Sequence, residues 1–391
     1  MKYILILLIT ALLSASDLFA QNIDRIIAEV EKNNTTLIAL RKDADAELIG
    51  NKTGLYLKNP EFAFNYLWGS PANIGKRKDI SILQSFDFPT AYGYRNHISE
   101  YRNIQVELEY EKQQRSIISQ TRLVCNGLIY LNAMRAELAK RTENARKLAD
   151  SYKTRYNIGE AGLIDYNKAQ INLLKTIKDE ESNEIEINAL LAELKNLNGG
   201  IAVEFADSVF QLQNFTDDFE QWYVQSEQNN PVLQWLKQEV SISRKNEKLN
   251  TAMSFPKLQA GYMSEEVVGQ QYQGITFGLS IPLLENKNAV KYARAKTAAI
   301  ESVEADTKLQ FYNNLKALHT KAISLQNSVN DYQLNLQKYD NSGLLHKALD
   351  KGELSLAEYL FELSLYYEII DRLLVLKKSL GDTVIELNRY Q

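Results

Sequence analysis

The sequence predicts a mainly α-helical protein made of two similar halves, each of which contributes two strands to a small β part. Three observations lead to this prediction: a turn pattern that occurs twice, two strand pairs that each end at a proline, and long stretches of helical periodicity. Only 17 glycines and 6 prolines occur in 391 residues, and this scarcity favours long uninterrupted helices.

The duplicated pattern reads G-E-x-x-L-x-(D/E)-Y and covers residues 159–166 and 352–359. Each copy lies between two polar stretches of helical periodicity, and glycine permits the left-handed backbone that ends many helices. We therefore predict that each copy is the turn at the tip of a helical hairpin. Ser355 and Glu358 in the second copy have the spacing of a capping box, which starts a new helix.

The constant offset of 193 residues between the two copies also relates Pro89 to Pro282. Nearer the start of each half the offset becomes 196, which relates Pro60 to Pro256. The second half therefore lacks three residues between its strands, where a loop absorbs a deletion best. A chain that is one unit written twice rarely buries its faces alone, so we expect oligomerisation.

The N-terminal segment and the net charge indicate an exported protein that does not bind nucleic acid. Residues 1–20 have the layout of a cleavable signal peptide, with Lys2, an apolar run and Leu18-Phe19-Ala20 before Gln21. The net charge of −4 gives no basic surface for nucleic acid, so no nucleic-acid partner is expected. We predict a first repeat over 21–200, a linker or equatorial segment over 201–218 and a second repeat over 219–391.

The predicted strands alternate apolar or aromatic residues with small or polar ones, and they span about 61–68, 79–88, 257–263 and 273–281. We expect the second pair to be joined by a loop around 264–274. Such strands suit a membrane β-barrel, but four cannot close one, so several chains would have to share it. A small soluble sheet packed on helices is the alternative, because an isolated two-stranded ribbon is marginal in water.

The remaining stretches predict helices. The first runs from Gln21 to about Leu57 and ends before Pro60, because the residue before proline resists the helical region. A second runs from about 94 to 156, and about 60 residues would extend about 90 Å. From Leu315 to Tyr339 apolar residues step by three and four, the seam of a coiled coil. Shorter helices return from the tips to about Leu197 and to the C-terminus.

Catalytic chemistry has no signal in this sequence. The three histidines, His97, His319 and His346, lie far apart and none has metal-ligand spacing. No phosphate-binding glycine loop, nucleophile elbow or paired carboxylates with a pocket context are found. We therefore predict no catalytic residue, no metal site and no cofactor, and a protein that is not an enzyme.

The signal peptide, the tandem halves, the strand pairs ending at Pro89 and Pro282 and the two tip turns resemble the TolC-like outer membrane efflux proteins over essentially the whole mature chain. The resemblance implies a homotrimer in which three protomers form a 12-stranded outer membrane β-barrel, continued by a long periplasmic α-helical barrel. It further implies a passive exit duct of a tripartite efflux or type I secretion system. Its partners would be outer membrane lipid, a periplasmic membrane fusion adaptor and an inner membrane pump such as an RND transporter.

By the same resemblance, the two tips would contact the adaptor through Gly159, Glu160, Leu163, Asp165, Tyr166, Gly352, Glu353, Leu356 and Tyr359. The alternative is that both are only well-made turns. The form of the second tip is more similar to the heavy-metal-efflux branch. Glu358 and Glu362 would form a negative gate at the periplasmic mouth, although Glu358 also fits a capping box. The competing function is a soluble periplasmic coiled-coil scaffold, which would not need detergent.

Overall fold

The computed structural model describes residues 22–211 and 218–390. The predicted signal peptide and residues 212–217 of the predicted linker lie outside this part of the chain. The helices are α1 (22–33), α2 (Thr35–Gly50), α3 (Pro89–Asn157), α4 (Leu163–Leu197), α5 (Phe219–Asn229), α6 (Pro231–Met253), α7 (Ala289–Lys338), α8 (Ser342–Asp350) and α9 (Leu356–Leu387). The strands are β1 (Glu61–Trp68), β2 (Lys76–Phe86), β3 (Lys257–Val267) and β4 (Gln270–Ser280).

The element order repeats itself, with two helices, two strands and two further helical regions in each half. Equivalent asparagines begin the second helix of each half. The Asn34 side chain accepts the Leu37 amide at 2.9 Å, and the Asn230 side chain accepts the Val232 amide at 2.8 Å. These bonds satisfy amides that the first turn of a helix leaves free. The two asparagines are 196 residues apart, so the offset found in the sequence relates residues that form the same type of helix cap.

The prediction of one helix from Gln21 to Leu57 is wrong. The helix is interrupted at Asn34, whose amide nitrogen donates to the Leu197 carbonyl at 2.8 Å while its oxygen caps α2. Asparagine side chains that bond the backbone in this way favour caps over helix interiors. The helix then ends at Gly50, ahead of the turn at 51–54. The break at Asn34 thus combines a local cap with a bond to a distant part of the chain.

The four strands form one antiparallel sheet in the order β1-β2-β3-β4. The predicted loop at 264–274 is wrong, because β3 and β4 continue to a two-residue turn. Val268 and Gly269 have φ values of 49° and 78°, and consecutive positive φ values are typical of the tight turns that suit twisted hairpins. The other hairpin has the longer connection, residues 69–75. The seven-residue connection is five residues longer than the two-residue turn, which more than accounts for the three residues that the second half lacks.

The long helix of the second half ends before the tip, and a short helix follows it. Helix α7 ends at Lys338, and α8 begins at Ser342. The Asp340 carboxylate accepts the Ser342 amide at 3.1 Å and its hydroxyl at 2.7 Å. These two bonds lower the pKa of Asp340 and supply a start signal for a new helix. Helix α3, in the corresponding place of the first half, runs for 69 residues without a break.

The described chain divides into two compact units, each with its own packing. One unit comprises Leu40–Lys112 and Gln228–Phe311, and it holds the whole sheet with the helix segments that lead into and out of it. Within it, the Ser243 and Thr297 hydroxyls form a buried hydrogen bond of 2.8 Å. The other unit comprises the described residues up to Ala39, Gln113–Glu227 and those from Tyr312 onward, and both hairpin tips belong to it. No helix within 22–211 and 218–390 is both long and apolar enough to cross a membrane.

Candidate functional site

The first tip turn ends α3 with a Schellman motif. The Glu160 amide donates to the Arg155 carbonyl at 2.7 Å, and the Gly159 amide donates to the Tyr156 carbonyl at 3.1 Å. Gly159 has a φ of 80°, the left-handed conformation that this motif places on its penultimate residue. The glycine in the pattern is therefore explained by the left-handed backbone conformation at this position.

The second tip turn repeats the same bonds 193 residues later. The Glu353 amide donates to the Ala348 carbonyl at 2.9 Å, and the Gly352 amide donates to the Leu349 carbonyl at 3.1 Å. Gly352 has a φ of 72°. A Cβ added at Gly159 or Gly352 would have no atom within 4 Å, so both positions face open space. The prediction of two hairpin turns is confirmed in backbone detail.

A new helix begins after each turn, α4 after the first and α9 after the second, and the two helix starts are capped differently. Ser355 and Glu358 form the predicted capping box: the Ser355 amide donates to the Glu358 carboxylate at 2.8 Å, and the Glu358 amide donates to the Ser355 hydroxyl at 3.3 Å. These bonds lower the pKa of Glu358, because they favour its charged form. Gly162 begins α4 without any side-chain cap.

Residues of both hairpins pack together in one apolar cluster. It joins Leu148, Ala149 and Tyr152 of α3 to residues of the other elements, Ala169, Leu345, Leu349, Leu356 and Tyr359. Tyr359 lies inside this cluster, and burial raises its pKa. On the first tip, Tyr166 instead stacks on Tyr156 with ring centroids 5.3 Å apart. The two hairpins are thus packed together within one protomer.

The predicted tip residues divide by exposure. Leu163 is 54% exposed, whereas Leu356 at the matching position is 3% exposed. The whole set separates in the same way: Gly159, Glu160, Leu163, Gly352 and Glu353 are exposed, Asp165 and Tyr166 are half-buried, and Leu356 and Tyr359 are buried. Burial leaves Leu356 and Tyr359 no surface of their own to offer a partner in this arrangement, so their observable role is to hold the turn.

Sequence reasoning missed two exposed residues at the first tip, Ile158 just before the pattern and Ile164 within it. Ile158 is 64% exposed and Ile164 is 71% exposed, and together with Leu163 they form an apolar tip surface. We call these three residues the first-tip apolar surface. The signal was present in the sequence as large apolar residues on both sides of a polar turn. An exposed apolar group of this kind is typical of an interaction site.

The predicted gate residues lie on the first two turns of α9. Both Glu358 and Glu362 are exposed, and the four-residue spacing places them on one side of the helix. The Glu358 carboxylate is already engaged with Ser355. Among the described residues, no group of three or more histidine, cysteine, aspartate or glutamate side chains could hold a metal ion.

An ion pair that the sequence did not indicate ties the two hairpins together above the tips. Arg141 of α3 and Asp371 of α9 form two bonds, of 2.6 Å and 3.1 Å, and the Arg141 guanidinium lies 4.4 Å from the centroid of the Tyr367 ring. The Arg141 side chain is 8% exposed and that of Asp371 is 41% exposed. This bidentate geometry is strong and directional.

The sheet presents a second candidate surface, in the other unit. One face carries exposed large apolar and aromatic side chains at Phe62, Phe64, Tyr66, Trp68, Ile80, Ile82, Tyr262, Ile275, Phe277 and Leu279. The other face is mostly small or polar, with exceptions at Leu67, Leu83, Met263, Val267 and Tyr272. Charged residues, including the Lys78–Glu266 pair at 3.2 Å, lie near the hairpin turns. The apolar face is far larger than the scattered apolar groups of a soluble surface.

These features together define a class of fold: long helical hairpins combined with a four-stranded antiparallel sheet in a duplicated chain. No protein-family model matches the sequence, and no curated protein matches it either. The structure resembles the CmeC outer membrane channel of Campylobacter jejuni with a TM-score of 0.76 and 15% identity, over 95% of this chain and 85% of CmeC.

Two further solved channels have the same architecture. CusC, which folds and forms a transmembrane channel, has a TM-score of 0.78 at 15% identity, over 94% of this chain and 91% of the CusC chain. The open state of the MtrE outer membrane channel of Neisseria gonorrhoeae has a TM-score of 0.70 at 12% identity, over 94% and 88% of the two chains. The chain therefore has the fold of these outer membrane channels, and the mainly α-helical fold with a small β part that the sequence predicts is confirmed.

Proposed function

We propose that the protein is an outer membrane channel for efflux or secretion, without catalysis of its own. Three copies would share one 12-stranded barrel, to which each contributes β1 to β4, and the helices would form the periplasmic part. The observation that carries this proposal is the apolar face of the sheet, in a chain whose fold matches outer membrane channels over nearly its whole length. Contact of such an apolar face with lipid is favourable, whereas its exposure to water is unfavourable in free energy.

The barrel orientation follows from the chain path within the sheet-bearing unit. Strand β1 begins and β2 ends at the side where α2 and α3 attach, and the hairpin turns lie at the opposite end. With the helices in the periplasm, the turns face the exterior. The Lys78–Glu266 pair then lies at the outer edge of the apolar band, where charged groups reach water.

We further propose that the tips dock to a periplasmic adaptor, and that an inner membrane pump supplies the energy and selects the cargo. The support is the exposed first-tip apolar surface, together with the two glycine turns that project into open space. Burial of Ile158, Leu163 and Ile164 against a partner would contribute about 1 to 2 kcal/mol per side chain, because 54 to 71% of each is exposed beforehand.

Two experiments test the channel. The full chain should fractionate with the outer membrane, and the purified trimer should give stepwise conductance in planar lipid bilayers. A monomer that stays in solution without detergent and conducts nothing would instead be the soluble periplasmic scaffold.

Docking needs its own test, because a channel could conduct without an adaptor. A compound that accumulates in cells after deletion of the gene serves as the export reporter. Gly159→Ala and Gly159→Trp both carry the left-handed backbone cost of about 1 to 2 kcal/mol, but only the tryptophan obstructs the tip. We expect Gly159→Trp to lose export at normal trimer level, whereas Gly159→Ala retains it. Equal export in both variants, or equal loss of trimer, would contradict docking at this tip.

A further inference from the structure

A cavity of about 640 Å³ lies among α1, α3, α7, α9 and the last described residues before position 212. Its volume is within the range of about 300 to 1,000 Å³ that is usual for ligand pockets. One wall is apolar and is formed by Ile129, Val329, Leu380 and Val384. The cavity belongs entirely to the unit that also holds the tips.

Two cationic side chains, Arg122 and Lys377, line the same cavity. Among the described residues, neither has a carboxylate partner, although Asp24 is also part of the lining. The neighbouring Lys378, by contrast, pairs with Asp382 at 2.7 Å. Lys377 is half-buried, and burial lowers its pKa because desolvation penalises the ammonium form. An anion in the cavity would relieve this penalty.

The polar wall of the cavity is already satisfied by the protein. The Asn126 amide nitrogen donates to the Lys378 carbonyl at 2.9 Å and to the Asp382 carboxylate at 2.8 Å. Gly381 makes room for this arrangement, since a Cβ there would lie 2.6 to 2.9 Å from the Asn126 side chain. The wall is therefore preformed, and the charges left for a ligand are those of Arg122, Lys377 and Asp24, which sum to one positive charge.

We propose that this cavity binds a single-chain amphipathic anion. Its carboxylate, sulfate or phosphate head would bond to Arg122 and Lys377, and its alkyl chain would lie along Ile129, Val329 and Leu380. Arginine can bind such a head through two parallel hydrogen bonds, and a half-buried ammonium gains most from a partner of opposite charge. Covering the apolar wall removes it from water. The proposal does not depend on the docking or conduction proposed above.

The test uses the full chain in dodecyl maltoside with 11-(dansylamino)undecanoate, a fluorescent fatty acid whose emission rises in an apolar site. Saturable binding at one site per chain, displaced by laurate, is the expected result. Dodecanol has the same chain length without charge and should fail to displace the probe. Displacement by lauroyl-lysophosphatidylglycerol would add a lipid source for the same chemistry, and its failure would restrict the head group to a carboxylate or sulfate.

Variants connect the signal to the cavity. Combined Arg122→Gln and Lys377→Met should weaken probe binding at least tenfold, and Lys175→Met, on an exposed part of α4, should leave it unchanged. Gln333→Trp fills the cavity from its edge while keeping both cations, and it should also abolish binding. Wild-type affinity in all variants, or displacement by dodecanol as effective as by laurate, would overturn the proposal. Circular dichroism melting checks that each variant is folded.

Discussion

Lysine at Phe277 should prevent the sheet from entering a membrane, whereas lysine on the opposite face should not. Phe277 is 81% exposed on the apolar face and pairs with Ala260 of β3. From Ala260 to the charged Glu266 there are six residues, or about 20 Å of strand at about 3.4 Å per residue. With a strand tilt of about 40°, this distance is about 16 Å along the membrane normal. An apolar band about 25 Å tall has its midplane about 12 Å from the edge, so Phe277 lies near the centre.

The expected penalty follows from that depth. A lysine facing lipid near the midplane costs about 2 to 4 kcal/mol, which corresponds to about 30- to 700-fold in the insertion equilibrium for each protomer. Three copies in one barrel would multiply the effect. Phe277→Lys should therefore reduce trimer in the outer membrane to a small fraction, and Phe277→Leu should assemble normally because leucine keeps the surface apolar.

The matched control is Thr276→Lys, one residue away on the other face of β4. Gly278 lies on that face as well, but a Cβ there would be 3.2 Å from the Gln259 side-chain oxygen, so a lysine would also disturb packing. Trimer is measured in outer membrane fractions by semi-denaturing electrophoresis, and conductance in planar bilayers. Thr276→Lys should assemble and alter conductance. Equal assembly of the lysine variants at 276 and 277 would show that the alternation does not reflect lipid contact.

Three further predictions concern the helical unit. The Glu358 carboxylate, whose pKa is lowered, accepts a hydrogen bond in the capping box, so the first turn of α9 should lose hydrogen-exchange protection as the carboxylate becomes protonated at acidic pH. Glu358→Gln should make this protection independent of pH. Altered cation selectivity in that variant would instead support the gate. Asp371→Asn should destabilise the protein by about 1.5 to 3 kcal/mol in denaturant melts, because Arg141 loses a charged partner, and an unchanged midpoint would contradict this. Burial raises the pKa of Cys125 to about 12, so maleimide should label it only after denaturation. Rapid labelling of the folded protein would contradict its burial.

Local backbone rules made much of the fold predictable from the sequence. The glycine turns, the capping box and the alternation of the strands each depend on residues that are close together in the chain, and the structure has all three. The interruption at Asn34 combines a local cap on Leu37 with a bond to Leu197, 163 residues away. The Arg141–Asp371 pair joins residues 230 apart. No periodicity in a single sequence announces such pairs, because they exist only after the hairpins have packed.

The duplicated turn pattern has two separate physical causes, which the sequence could not distinguish. Glycine and the following glutamate make the same backbone bonds in both copies, so these positions repeat because a Schellman turn repeats. The leucine does not behave alike: Leu356 completes a buried cluster, whereas Leu163 remains outside it. A buried leucine is explained by packing within the protomer, but an exposed one between Ile158 and Ile164 has no such explanation. The unpacked copy of the pattern is therefore the stronger candidate for contact with a second protein.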